Sequence, residues 1–146
     1  MMPAPAIAKS PDTYCAFKIK PEDTNWFIPL LDPVADGVSF TWVVEVFAPG
    51  GATPPNTHEA AEEAFMVLRG RGVARVAGQA IPLSPGGCFV VRAGEEHVVE
   101  NPGPDRLYCL TVMAPDEGFA ALIRNGTPWP MDEEDRAVVL GLAPRG

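Results

Sequence analysis

The sequence predicts an all-β domain, a sandwich or barrel of short strands. Three observations carry that expectation. Seventeen prolines and fourteen glycines punctuate a chain of 146 residues that is still 47% hydrophobic, a composition that suits many short elements joined by tight turns and not a helical bundle. Turn formers recur at Pro49-Gly50-Gly51, Gly70-Arg71-Gly72, Ala77-Gly78-Gln79, Pro85-Gly86-Gly87, Ala93-Gly94 and Asn101-Pro102-Gly103. The segments between them alternate or are rich in β-branched and aromatic residues, as strands are.

Taken in order, Met1 to Pro33 holds prolines and single aromatics with little periodicity, so it reads as an extended arm with one or two edge strands. Tyr14, Phe17, Trp26 and Phe27 would pack that arm onto the rest or onto a partner subunit. From Val38 to Phe47 the alternation is clear: Val38, Phe40, Trp42, Val44 and Val46 share one face and Ser39, Thr41, Val43 and Glu45 the other. Further strands are expected at Glu63–Arg69, Val73–Ala77, Cys88–Val91, His97–Glu100 and Arg106–Met113. Asp116 can cap a short helix whose Phe119, Leu122 and Ile123 share a face, with Gly126 where it would stop. Asp132 to Leu140 reads as a second surface helix.

The length fits one domain with its own core. The expected division is residues 1–37 as arm, 38–114 as barrel core and 115–146 as helical segment. A formal net charge of −8 with no Lys/Arg cluster argues against nucleic acid as a partner, because phosphate contacts need a basic footprint. No apolar run reaches membrane-spanning length, and Met1 to Pro11 lacks the pattern of a leader; a soluble, cytoplasmic protein is expected. Cys15, Cys88 and Cys109 are widely spaced and odd in number, which points to reduced, buried thiols.

Two stretches carry the chemistry. Residues 50–70 read Gly50, five residues, Asn56, one residue, His58, four residues, Glu63, six residues, Gly70. Residues 86–101 read Gly86, five residues, Arg92, one residue, Gly94, two residues, His97, three residues, Asn101. Asn56 and His58 are two apart and share a strand face. Glu63 follows a short loop, and closure of a barrel can bring His97 alongside. Neutral imidazole and carboxylate are ligands for Fe, Mn, Zn, Ni or Co as divalent ions. A lone barrel histidine is more often a hydrogen-bonded core residue than a ligand, and Glu62-Glu63 is compatible with an exposed acidic pair. The only two histidines of the chain, however, both fall in these stretches.

The two stretches resemble the paired motifs of the cupin superfamily, G-x5-H-x-H-x3-4-E-x6-G and G-x5-P-x-G-x2-H-x3-N. Asn56 stands in place of the first histidine and Arg92 in place of the proline. The resemblance implies a cupin-type β-barrel, a double-stranded β-helix or jelly roll, with metal ligands Asn56, His58, Glu63 and His97. It further implies a small organic substrate, with dioxygenase, isomerase, cyclase or lyase chemistry, and a homodimer. Incomplete ligand sets also occur in the superfamily, so a metal-free, non-catalytic binding module is the alternative. Phe40, Trp42, Phe65 and Tyr108 are candidates for core or pocket wall. Arg92 is either a solvated turn residue or a guanidinium at the barrel mouth facing a substrate carboxylate. The group that would move protons is unassigned, with Tyr108 or a metal-bound water as candidates.

Overall fold

A computed structural model of the chain describes residues 5–143; the outermost residues of the 1–146 domain assignment, 1–4 and 144–146, lie outside them. The fold is the expected all-β jelly roll. A seven-stranded antiparallel sheet has the order β10-β1-β2-β3-β9-β4-β7, and a three-stranded sheet the order β6-β5-β8. The strands are β1 (Ala16–Lys18), β2 (Asn25–Leu31), β3 (Thr41–Phe47), β4 (Glu62–Arg69), β5 (Gly72–Val76), β6 (Gln79–Leu83), β7 (Cys88–Val91), β8 (His97–Glu100), β9 (Leu107–Ala114) and β10 (Thr127–Trp129). From β4 to β9 the chain passes between the two sheets four times, which brings strands distant in sequence face to face.

Gly-rich turns let it do so. Gly70, between β4 and β5, has φ +90°, and a Cβ there would stand 2.3 Å from the carbonyl oxygen of Arg106. Only glycine fits such an approach. Asn101, fully buried, organises the turn before β9. Its Nδ2 donates to the carbonyls of Phe47, Ala48 and Asp105, while its Oδ1 accepts from Gly103 N.

Strands β7 and β8 have the bounds expected from sequence. The arm departs from expectation: β2 pairs with β3 over most of its length and lies inside the large sheet, not at its edge. Strands β6 and β10 are additional. Gln79–Leu83 is interrupted by Pro82, and Thr127–Trp129 by Pro128, so neither reads as a strand by alternation.

The principal core lies between the sheets. Phe47, Phe65, Val67, Val91, Leu107 and Cys109 from the large sheet meet Ala74, Val76, Leu83 and Val99 from the small one. A second core covers part of the outer face of the large sheet: Trp26, Ile28, Val44, Val46 and Tyr108 pack against Val138 of helix α3 (Glu133–Val139). Helix α2 (Phe119–Arg124) closes one end, where Ile123 and Phe119 meet Phe27 and Val43. Asp116 feeds that helix as expected, its carboxylate accepting from Gly118 N and Ala120 N. A short helical turn, α1 (Pro33–Asp36), is tied to α2 by Arg124, which donates two bonds to the buried carboxylate of Asp32.

The outer core inverts the expected parity of β3. Thr41, Val43, Glu45 and Phe47 face the barrel interior, whereas Val44 and Val46 face α3 and Trp42 is 40% exposed. The cysteines also differ from expectation: Cys109 is buried, but Cys15 and Cys88 are exposed. Among the described residues no helix is long and apolar enough to cross a membrane.

Candidate metal centre

The first motif places its residues through a loop locked on both sides. Asn56 forms a backbone bridge with His97, its N–H donating to the His97 carbonyl at 3.1 Å and its carbonyl accepting from His97 N at 2.9 Å. Gly94 N donates to the His58 carbonyl at 2.8 Å. The two motifs are thus stitched together by main chain, and their side chains inherit that registration. Glu63 is the second residue of β4, on the interior face with Phe65 and Val67, and His97 opens β8 on the opposite sheet.

Three side chains converge there. His58, Glu63 and His97 are all buried, at 8%, 4% and 4% exposure, and one donor atom from each lies within 4.8 Å of the other two. Glu63 Oε1 is 2.9 Å from His97 Nε2 and 3.2 Å from His58 Nε2. One oxygen is therefore the focus of both rings. Nδ1 of His97 faces the Glu95 carbonyl at 3.3 Å. Donation there would leave Nε2 as the ring atom free to bind a cation, the usual arrangement around a ligating histidine.

Electrostatics follow from this packing. Burial alone would raise the pKa of Glu63, but its hydrogen bonds to His58 and His97 and their charges outweigh it and hold the carboxyl below its ordinary value. Burial alone would lower His97, yet its bond to Glu63 and that carboxylate's charge hold it above the ordinary value. The cluster favours a negative Glu63 facing positive charge. Two nitrogens and a carboxylate oxygen are a donor set for a divalent transition ion, whose ligand atoms stand about 2 Å from the metal. The three side chains fit such an ion.

A cavity of about 580 Å³ opens over the cluster, lined by Asn56, His58, Glu63, Phe65 and His97. Asn56 is exposed at its mouth. Four other pocket candidates lie elsewhere. Trp42 faces outward because β3 has the opposite parity, and Phe40 packs beside it with ring centroids 6.0 Å apart. Tyr108 lies in the outer core, where its hydroxyl donates to Asp135 at 2.6 Å. Arg92 is exposed outside the cavity lining, the solvated alternative of its two readings.

Sequence reasoning missed other polar and aromatic residues of the cavity. Asn25, Phe27 and Glu45 line the same cavity, with Phe119 of α2. Glu45 is 3% exposed; its Oε2 accepts from Asn25 Nδ2 at 2.9 Å and its Oε1 from Thr111 Oγ1 at 3.5 Å. Burial, reinforced by the nearby negative Glu63, pushes its pKa up to about 8 against the pull of those two bonds. Glu45 shares a face with Thr41 and Val43, and that polar parity was the available signal.

The comparisons with known proteins agree with this geometry. The family model for the cupin domain matches residues 43–113. A Thermotoga maritima protein described as a "predicted oxalate decarboxylase" is 26% identical with TM-score 0.59, over 62% of this chain and 80% of that one. The protein TT1209 from Thermus thermophilus is also 26% identical with TM-score 0.58, over 67% and 89% of the two chains. A sugar phosphate isomerase of the cupin superfamily from Silicibacter pomeroyi shares the fold at 22% identity, with TM-score 0.56 over 62% and 59%. No curated protein sequence matches the chain. With both motifs meeting across the jelly roll and the family model spanning the strands that carry them, the chain belongs to the cupin superfamily.

Proposed function

We propose that this protein is a metal-dependent enzyme acting on a small organic molecule, with His58, Glu63 and His97 as ligands to one divalent transition ion. The observation that supports it best is the convergence of three buried donors at one point inside a cavity. Asn56, at the cavity mouth, would serve as a weak fourth ligand or an orienting group. Such an ion supplies Lewis-acid polarisation of a carbonyl or enolate oxygen, or a site for dioxygen chemistry. The reaction class is accordingly oxidation, isomerisation, cyclisation or a lyase step. His58 and His97 would hold the ion with their buried rings, Glu63 would balance its charge, and Phe65 would keep bulk water from that side of the cluster.

We also propose a single domain over the whole chain, a homodimer built with the N-terminal arm, a cytoplasmic location and no nucleic-acid partner. A second reading has its own support. Glu63 already engages both rings, and no buried side-chain polar atom among the described residues lacks a partner. A metal-free module that captures a small ligand would need nothing more.

Metal content after purification without a metal-affinity tag separates the two. Near-stoichiometric transition metal that disappears in His58→Ala and His97→Ala supports the enzyme. Folded wild-type protein that neither carries nor takes up metal supports the binding module.

A further inference from the structure

The cavity has a polarity of its own, apart from the cluster that holds one of its walls. Its acidic lining residues are Asp23, Glu45, Glu59, Glu63 and Glu117. Against them, and besides the two histidines, stands one basic lining residue among the described residues, Lys20, which lies in an exposed turn where its backbone N–H donates to Asp23 at 3.0 Å. Sites for carboxylates and phosphates are built from arginine forks or converging lysines. Among the described residues this cavity has none, and Arg92 lies outside its lining.

The part of the large sheet that carries Glu45 is specific as well as acidic. Glu45 and Asn25 form a buried hydrogen-bonded pair that Thr111 supports. An ionised carboxylate can accept about four hydrogen bonds, so Glu45 retains capacity for a donor from a ligand after its bonds to Asn25 and Thr111. Phe27 and Phe119, packed edge to face at 5.5 Å, and Phe65 supply apolar surface in the same cavity.

We propose that the cavity selects an uncharged, hydroxyl-bearing small molecule, which meets the His58–Glu63–His97 cluster and donates a hydrogen bond to Glu45 in the same cavity. The inference rests on the metal-dependent reading above and narrows its substrate class. The two positive charges of an ion on the cluster are already balanced by the carboxylates of Glu63 and Glu45, so negative ligands of the oxalate or sugar phosphate kind would meet no net positive charge there. With a divalent ion on the cluster, the ionised form of Glu45 is favoured, and one carboxylate in a low-dielectric cavity disfavours a second negative group.

The test uses the full-length protein loaded with cobalt(II), whose visible spectrum reports ligand binding, and two probes of nearly equal shape, glycolate and glycolamide. Glu45→Gln removes the charge and keeps the side chain's size. Expected is glycolate binding about tenfold tighter in Glu45→Gln than in wild type, with glycolamide changing by less than about threefold. Equal glycolate affinity in the two proteins would overturn the proposal. Lys20→Ala, a change at an exposed turn, provides an independent arm: glycolate affinity should stay within about twofold, and a tenfold loss would identify an anion site and overturn the proposal as well. Wild-type protein that takes up no cobalt removes the metal-dependent reading and this inference with it. Cobalt uptake with an unchanged glycolate affinity removes this inference alone.

Discussion

Glu63 Oε1 and His97 Nε2 meet at 2.9 Å across the interior of the jelly roll, the carboxylate from the large sheet and the imidazole from the small one. Neither residue could find the other without closure of the two sheets. Their bond is therefore both a fold contact and half of a ligand set.

Glu63→Gln separates those roles, because it keeps the shape and removes the charge. Metal affinity should fall by at least about hundredfold, since the only carboxylate of the cluster is lost. A chelator competition measures this. In the metal-free variant, His97 should titrate lower than in the metal-free wild type, because burial then acts without the opposing carboxylate. Imidazole NMR resonances followed against pH show the direction.

Glu45 predicts how the stability of metal-free protein changes with pH. In the unfolded chain this carboxyl loses its proton near 4.5, but in the folded protein it keeps it up to about 8. Its contribution is therefore fully present below the unfolded value and declines as pH rises from about 4.5 to about 8, then levels off. Glu45→Gln should flatten that decline and be more stable than wild type above the window by a few kcal/mol. Urea denaturation at the two ends of the window tests it; parallel curves for both proteins would contradict the assignment.

Which features could be read from sequence has a physical logic. Strands β7 and β8 sit between glycine turns whose backbone requirements are local, so their bounds were legible. His58, Glu63 and His97 were legible because motif spacing and the scarcity of histidine act together. The parity of β3 was not, since Val44 and Val46 face a second core made by α3, an element about ninety residues away in sequence. Alternation distinguishes two faces of a strand but cannot name the inner one when both are covered. Trp42 and Tyr108, expected in the core or the pocket wall, consequently lie on the outer face of the sheet, and Glu45 lies on the inner one.

Tyr108 supplies a test of that correction. Its hydroxyl, on the outer face of β9, donates to Asp135 of α3 at 2.6 Å, and Asp135 also accepts from Trp26 Nε1 and Arg106 Nη1 at 3.0 Å each. Burial raises the Asp135 pKa while these bonds pull it back. Tyr108→Phe should cost about 1–2 kcal/mol, and Asp135→Ala more, because Trp26 would then be left without its acceptor and Tyr108 would keep only Glu134, at 3.1 Å. Metal uptake should be unchanged in Tyr108→Phe. A loss of metal without a loss of stability would return Tyr108 to the site.

The motif glycines separate two reasons for lacking a side chain. Gly70 and Gly94 both have positive φ, +90° and +83°. Around Gly94 a Cβ would meet nothing within 4 Å, whereas at Gly70 it would stand 2.3 Å from the Arg106 carbonyl and 2.9 Å from the Leu107 Cα. Gly94→Ala carries only the left-handed backbone penalty, about 1–2 kcal/mol. Gly70→Ala adds a main-chain clash at the point where the chain leaves one sheet for the other, and nothing there is a flexible side-chain end that could move aside. It should cost more than twice as much as Gly94→Ala in chemical denaturation. Equal costs at the two positions would mean that backbone conformation alone, and not the approach of Arg106, accounts for the glycine in the first motif.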